Sequence, residues 1–199
     1  LKKETKTPDL PSLDDKCGAH FQFRDLIECG ETFHILGPEN IPQAAQTYLA
    51  LRHLAEEILD PVVEKFGKIE LTYGVSCQRL YRHIKGNISP TLDQHASYER
   101  NTKDRLICER GGAAVDFRST RAGTRIVAQW IVRKREFDRL YYYGDQHPLH
   151  VSVGPEKCGQ VVLMRPSELS GKRIPRRISN EDFLNMTDDS GMVIGLTGK

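Results

Sequence analysis

Three side chains of this sequence have the types needed to hold a divalent cation. His95 follows Asp93 and Gln94 in a polar stretch, Asp116 lies inside Gly112-Ala113-Ala114-Val115-Asp116-Phe117, and His150 lies inside Pro148-Leu149-His150-Val151-Ser152-Val153. Two imidazoles and one carboxylate are what a catalytic Zn²⁺ uses when it keeps a fourth position open. Asp116 is the most telling of the three, because a carboxylate among Ala, Val and Phe is costly to bury unless a cation or strong donors compensate it. Taken singly, a strand Asp or a lone His is more often a hydrogen-bonded structural residue. The expectation of a metal site therefore rests on the set, not on any one member.

The elements that must position these residues can be read from periodicity. His95 sits in a polar, aperiodic stretch from Ser89 to Arg110, a loop of about twenty residues, and such a loop inside a compact domain is more often functional than idle. Asp116 falls on a short strand expected over Ala113 to Phe117, and His150 on one over Leu149 to Val153, paired antiparallel with Phe137 to Tyr143 across Gly144 to Pro148. Ile69 to Tyr73 and Gln160 to Met164 supply two more strands. A long helix is expected from Asn40, with Asn40 as cap, Pro42 in the first turn and an inward stripe of Ile41, Ala44, Tyr48, Leu51, Ala55, Ile58 and Val62. Pro61 should kink or restart it, Asp60 capping the new turn, and Gly67 should end it. A second helix is expected over Ser76 to Lys85, closed by Gly86-Asn87, and a third, capped by Ser119 or Thr120, with Ile126, Val127, Trp130 and Ile131 inward. The fold class is α+β, with helices packed on one face of a mainly antiparallel sheet.

Composition sets the outer bounds. With 38% hydrophobic and 28% charged side chains, the 199 residues suit a globular protein with one substantial core. The expected organisation is an extended lead-in over 1–20, a domain over 21–165, and a 166–199 extension made of a basic connector, Pro166 to Ile178, and a helical turn, Glu181 to Met186. The 29 basic and 27 acidic residues leave a formal charge of +2, too small a field to draw the chain to nucleic acid or an anionic membrane. No apolar run approaches the roughly 20 residues of a membrane helix, and Leu1-Lys2-Lys3-Glu4 lacks the apolar core of a secretory signal. Five scattered cysteines do not make a disulfide framework, so reduced thiols and a cytoplasmic location in the producing cell are expected.

Several segments resemble one family. Phe21 to Val75, with Asp25-Leu26-Ile27-Glu28-Cys29, Glu39-Asn40-Ile41-Pro42 and Ile58-Leu59-Asp60-Pro61-Val62-Val63-Glu64-Lys65-Phe66-Gly67, is similar to the opening of the phage and bacterial D-Ala-D-Ala carboxypeptidase-like zinc peptidases. The family's S-x-H-x-x-G-x-A-x-D motif resembles Asp93-Gln94-His95 plus Gly112-Ala113-Ala114-Val115-Asp116, its W-x-H-x-S strand resembles Leu149-His150-Val151-Ser152, and Phe137-Asp138-Arg139-Leu140 is similar to the strand before the last ligand. The resemblance implies a hedgehog/DD-peptidase-like fold, Zn²⁺ on His95, Asp116 and His150, and hydrolysis of short peptides containing D-amino acids, such as peptidoglycan stem peptides, with the cell wall as a place of action. Composition gives no ground for a membrane partner, and for a nucleic-acid partner only the basic connector, with Lys172, Arg173, Arg176 and Arg177, speaks.

The chain departs from the family pattern at three places. The family's His lies seven residues before its Asp, where this chain has Glu109. An apparent insertion, Ala96 to Gly111, separates His95 from Asp116, and Glu109 is a rival ligand. The carboxylate expected three residues before the last His, which exchanges protons with water and leaving group, is here His147, with Asp145 two residues earlier. The family's S-G-Y-R turn is Tyr73-Gly74-Val75-Ser76, without the Arg, so that Arg79 or Arg82 would have to hold a substrate carboxylate. The catalytic candidates are thus His147, Asp145 and Arg79. A chain that lost the peptidase chemistry and kept the scaffold as a binding or regulatory protein is the alternative. Cys17, His20, Cys29 and His34 form a weaker candidate for a structural zinc site, and Tyr141 to Tyr143 for a substrate groove.

Overall fold

The computed structural model describes residues 10–189 apart from 38, 82, 84–88, 168 and 169. In chain order its elements are α1 (Phe23–Ile27), α2 (Glu31–Leu36), α3 (Ala45–Leu54), α4 (Asp60–Phe66), β1 (Ile69–Tyr73), α5 (Gln78–Tyr81), β2 (Ala113–Ser119), α6 (Thr124–Lys134), β3 (Arg139–Tyr142), β4 (Leu149–Val153), β5 (Gln160–Pro166), β6 (Arg173–Ile178) and α7 (Asn180–Leu184). The six strands form one sheet in the order β1-β2-β4-β3-β5-β6, antiparallel except for the β3–β5 pair. The class is α+β, as the periodicities predict.

Alternation along the strands divides the sheet into two unlike faces. Ala113, Val115 and Phe117 of β2, Leu149, Val151 and Val153 of β4, Leu140 and Tyr142 of β3, and Val161 and Leu163 of β5 all join one core cluster. α3 packs on β2 and β4 from that side, and α6 on β2 and β3, contributing the fully buried Leu51, Leu54, Val127 and Ile131. Each such aliphatic or aromatic side chain stabilises the fold by roughly 1.5–3 kcal/mol relative to exposure. The intervening residues, Asp116 on β2, His150 and Ser152 on β4, and Arg139 and Tyr141 on β3, lie outside that cluster, on the opposite face.

Several local expectations need correction. The long helix begins at Ala45, not at Asn40, because the Asn40 amide is used elsewhere. Its Nδ2 donates to Ile27 O and Val75 O at 2.7 Å each, and its Oδ1 accepts the Cys77 N–H. Ile41, outside the helix, is exposed. A π-helical turn, Ala55–Leu59, ends α3, and a new helix, α4, starts at Asp60 with Pro61 in its first turn, as the restart at Pro61 predicts. Asp60 does not cap that turn. It accepts the N–H groups of Ala19 and His20, and with Cys17 buried and Lys16 bridged to Gln22 the order starts well before Phe21.

The region expected as a basic connector contains β6, which pairs with β5 along the sheet edge. On α6, Val127 and Ile131 are buried as expected, whereas Ile126 is exposed. The helix expected over Ser76 to Lys85 begins later, as α5 at Gln78, with Ser76 and Cys77 outside it, and its Gly86-Asn87 end lies outside the described residues. All five cysteines are free. No helix among the described residues is long and apolar enough to cross a membrane.

Candidate metal centre

Strand register assembles the first two ligands. Asp116 stands opposite His150 in the β2–β4 pair, His150 opposite Tyr141 in β4–β3, and Tyr73 opposite Asp116 in β1–β2, so one row runs Tyr73, Asp116, His150, Tyr141 across four strands. Directly opposed side chains on one face of an antiparallel pair are within contact distance. The Asp116 Oδ1 accordingly lies 2.8 Å from His150 Nδ1. Tyr141 stacks flat on the His150 ring at 4.6 Å, fixing its plane.

His95 arrives from the long loop, on a 3₁₀ turn (Gln94–Ala96) whose first N–H groups are capped by Asp93, which accepts the His95 N–H at 3.1 Å. Its Nδ1 lies 2.8 Å from Gly74 O, and since a carbonyl only accepts, Nδ1 carries the proton and Nε2 is turned toward the sheet. Gly74 can receive it because a Cβ there would overlap the Leu26 carbonyl oxygen, so only glycine permits this backbone approach. His95 Nε2 is 3.2 Å from His150 Nδ1 and 3.3 Å from Asp116 Oδ1.

These distances test whether the three residues suit a metal. A tetrahedral ion with bonds of about 2.0–2.1 Å separates its ligand atoms by about 3.3–3.4 Å. Two of the three separations, 3.2 and 3.3 Å, are already near that edge, and the third, 2.8 Å, must open by roughly half an ångström. Donor types, convergence and burial (His95 3% and His150 4% exposed, Asp116 half-buried) all fit such an ion. Electrostatics agree. Burial alone would raise the Asp116 pKa, but the two imidazoles outweigh it and hold the carboxyl well below the usual range. Burial alone would lower that of His95, and the Asp116 carboxylate outweighs it, so the His95 pKa is raised. The centre favours positive charge.

The triad lies in the wall of a cleft of about 390 Å³. His147 lines the same cleft at its exposed rim, its Nε2 2.9 Å from an Arg173 Nη2. Burial, then Arg173 and Arg118, lower the His147 pKa. Asp145 is turned away. Its Oδ1 accepts the Arg125 N–H at 2.7 Å, serving the first turn of α6, whose N-cap Gly123 has no side chain to do so. Arg79 is exposed, ion-paired with Glu39, and does not line the cleft; Arg82 lies outside the described residues. Glu109 is exposed and apart from the triad, leaving His95 as the third member. Cys17, His20, Cys29 and His34 form no ligand cluster, and burial pushes the Cys17 and Cys29 thiols up to about 12.

Arg173 is the cleft residue that sequence reasoning misplaced, as part of a solvated basic linker. Its Nη1 donates to Met164 O at 2.8 Å and Tyr143 O at 3.1 Å, and its guanidinium lies over the Tyr143 ring. None of the described ion pairs involves it. Of the three consecutive tyrosines, Tyr142 enters the core while Tyr141 and Tyr143 serve the site. No protein family matches the chain, and neither the curated proteins nor the solved structures yield a significant match.

Proposed function

We propose that this chain is a zinc-dependent peptidase-like hydrolase of the D-Ala-D-Ala carboxypeptidase (hedgehog/DD-peptidase) type, acting on short peptides of the peptidoglycan stem-peptide class. The observation that carries the reading is the convergence of His95 Nε2, Asp116 Oδ1 and His150 Nδ1, each within 3.3 Å of the others, in the wall of a cleft. His95, Asp116 and His150 would hold the ion. When bound, Zn²⁺ supplies Lewis acidity that polarises a carbonyl and makes water a stronger nucleophile at neutral pH. His147 would be the proton carrier: its lowered pKa keeps the imidazole neutral near pH 7, and its Nε2, which accepts from Arg173 Nη2, is freed for a proton when that guanidinium turns to the substrate. Arg173 takes the place expected of Arg79, presenting a guanidinium anchored by two carbonyls to an anionic group of the substrate.

The test is metal content and turnover together. Purified protein should carry about one zinc per chain and release D-Ala from muropeptides, with turnover abolished by a chelator and restored by zinc. One zinc without turnover would support the second reading, a metal-binding regulatory protein on the same scaffold. The commitment of Asp145 to α6 and of Arg79 to Glu39 favours that alternative. Absence of zinc would remove both.

A further inference from the structure

Beside the triad lies a buried polar network that the proposed chemistry does not use. Gln94, immediately before His95, is 2% exposed, and all of its amide hydrogen-bonding capacity is engaged apart from one acceptor site. Its Nε2 donates to Gly111 O at 2.9 Å and to Asp138 Oδ2 at 2.8 Å, and its Oε1 accepts the Ser152 hydroxyl at 2.8 Å. Ser152 is two residues beyond His150 on the same strand and face. Asp138, fully buried, is itself fixed by the Arg139 guanidinium at 2.7 Å and by the Cys158 N–H. Asp138, Glu156 and Cys158 could pass for a second metal cluster, but Arg139 already neutralises both carboxylates, bridging Asp138 and Glu156 at 2.7 and 2.6 Å.

We propose that Gln94 is a positioning residue: locked between Ser152 and Asp138, it sets the separation at which His95 and His150 present their nitrogens to a divalent cation. The inference rests on reading the triad as a metal centre. His95 rides on a loop and His150 on a central strand, and the Gln94–Ser152 bond joins their neighbours directly. Without the Gln94 amide the loop turn is tied by the Asp93 cap, the Gly74 carbonyl, the Ser76 N–H and the Ser97 hydroxyl on Gly112 O, none of which reaches β4. Those contacts orient the ring but do not fix its distance from β4. Gly154 leaves the room: a Cβ there would come within 2.6 Å of both Gln94 Nε2 and Asp138 Oδ2.

Gln94→Met keeps volume while deleting the amide, Ser152→Ala deletes only the hydroxyl, and Gly154→Ala pushes on the network from outside. Zinc dissociation constants of the full chain are measured by competition with a chromophoric chelator. Exchange of the His95 Nδ1–H is followed by ¹⁵N NMR on metal-free protein. Outer-shell partners of this kind carry about 10–100-fold in metal affinity, and a loss of that size is expected in each variant, with faster Nδ1–H exchange. A purely structural role would lower the melting temperature and leave the dissociation constant at the wild-type value, and that result overturns the proposal. Should Gln94→Met fail to fold, Ser152→Ala carries the same test. If the wild type binds no zinc, the metal reading fails, and the exchange measurement still decides whether Gln94 holds His95: unchanged exchange overturns the positioning role.

Discussion

Replacing Asp116 by Asn separates charge from shape at the proposed centre. The amide keeps the volume and an oxygen that can accept from His150 Nδ1, so the metal-free fold should be little affected, whereas the charge that lowers the Asp116 pKa and raises that of His95 is gone. At free zinc set to 100 times the wild-type dissociation constant, binding to the folded state alone stabilises it by about 2.7 kcal/mol. For a chain of this size each kcal/mol moves the melting temperature by roughly 2–4 °C, so the wild type should gain about 5–11 °C. Loss of an outer-shell partner costs up to about 100-fold in affinity, so loss of a direct ligand should cost at least that. In the same zinc buffer Asp116→Asn would then keep at most about 0.4 kcal/mol, or roughly 1–2 °C. Differential scanning calorimetry with and without zinc reads both numbers. A wild type that does not respond, or an Asp116→Asn variant that responds as strongly, would refute the reasoning from geometry to metal.

Two further outcomes follow from the cleft. His147 should titrate below the ordinary histidine value by ¹H NMR, and Arg173→Gln should move its midpoint upward, since the neighbouring guanidinium is one cause of the depression. Because its folded pKa lies below the unfolded one, its contribution to stability is fully present above about pH 6.5 and is lost as pH falls through the folded value; a midpoint unmoved by Arg173→Gln would contradict the contact. Gly74→Ala forces a Cβ into the Leu26 carbonyl oxygen and so must displace backbone, at a cost of about 1–3 kcal/mol or more in urea unfolding. It should also weaken zinc binding by moving the carbonyl that orients His95, and unaltered stability and affinity would show the approach to be looser than described.

Two members of the triad, Asp116 and His150, are legible because strands reveal themselves by a period of two, whereas His95 lies in an aperiodic loop and is singled out only by its residue type and by the family resemblance. Once Ala113 to Phe117 and Leu149 to Val153 are strands with apolar residues facing one layer, Asp116 and His150 must share the other face. What was not legible lies where one residue's partner comes from a distant element. Asn40 looks like a helix cap, and its amide instead joins Ile27 and Val75; Asp145 looks like a proton carrier, and an α6 that begins at a glycine draws it away. β6 reads as a solvated linker because Arg173, Arg176 and Arg177 obscure the alternation, and an edge strand with little buried surface gives hydrophobic patterning nothing to report. Arg173 was missed for that reason.

Counting protons distinguishes a metal centre from an ordinary hydrogen-bonded cluster. His95 Nδ1 gives its hydrogen to Gly74 O, so with a neutral ring its Nε2 brings only a lone pair to the point where Asp116 Oδ1 brings negative charge. One hydrogen on His150 Nδ1, 2.8 Å from Asp116 Oδ1 and 3.2 Å from His95 Nε2, has to serve both, and that shortfall is relieved by adding positive charge, the direction in which the His95 pKa is raised. A proton meets that demand in the metal-free protein, and its contribution to stability is full below about pH 6.5 and lost as pH rises through the raised folded value. A divalent ion would compete for the same place, so zinc uptake at pH 7 should release protons and weaken as pH falls. Calorimetric titration in two buffers of different ionisation enthalpy counts the protons released. Zinc binding with none released and no pH dependence would mean that the ion sits somewhere other than between His95, Asp116 and His150.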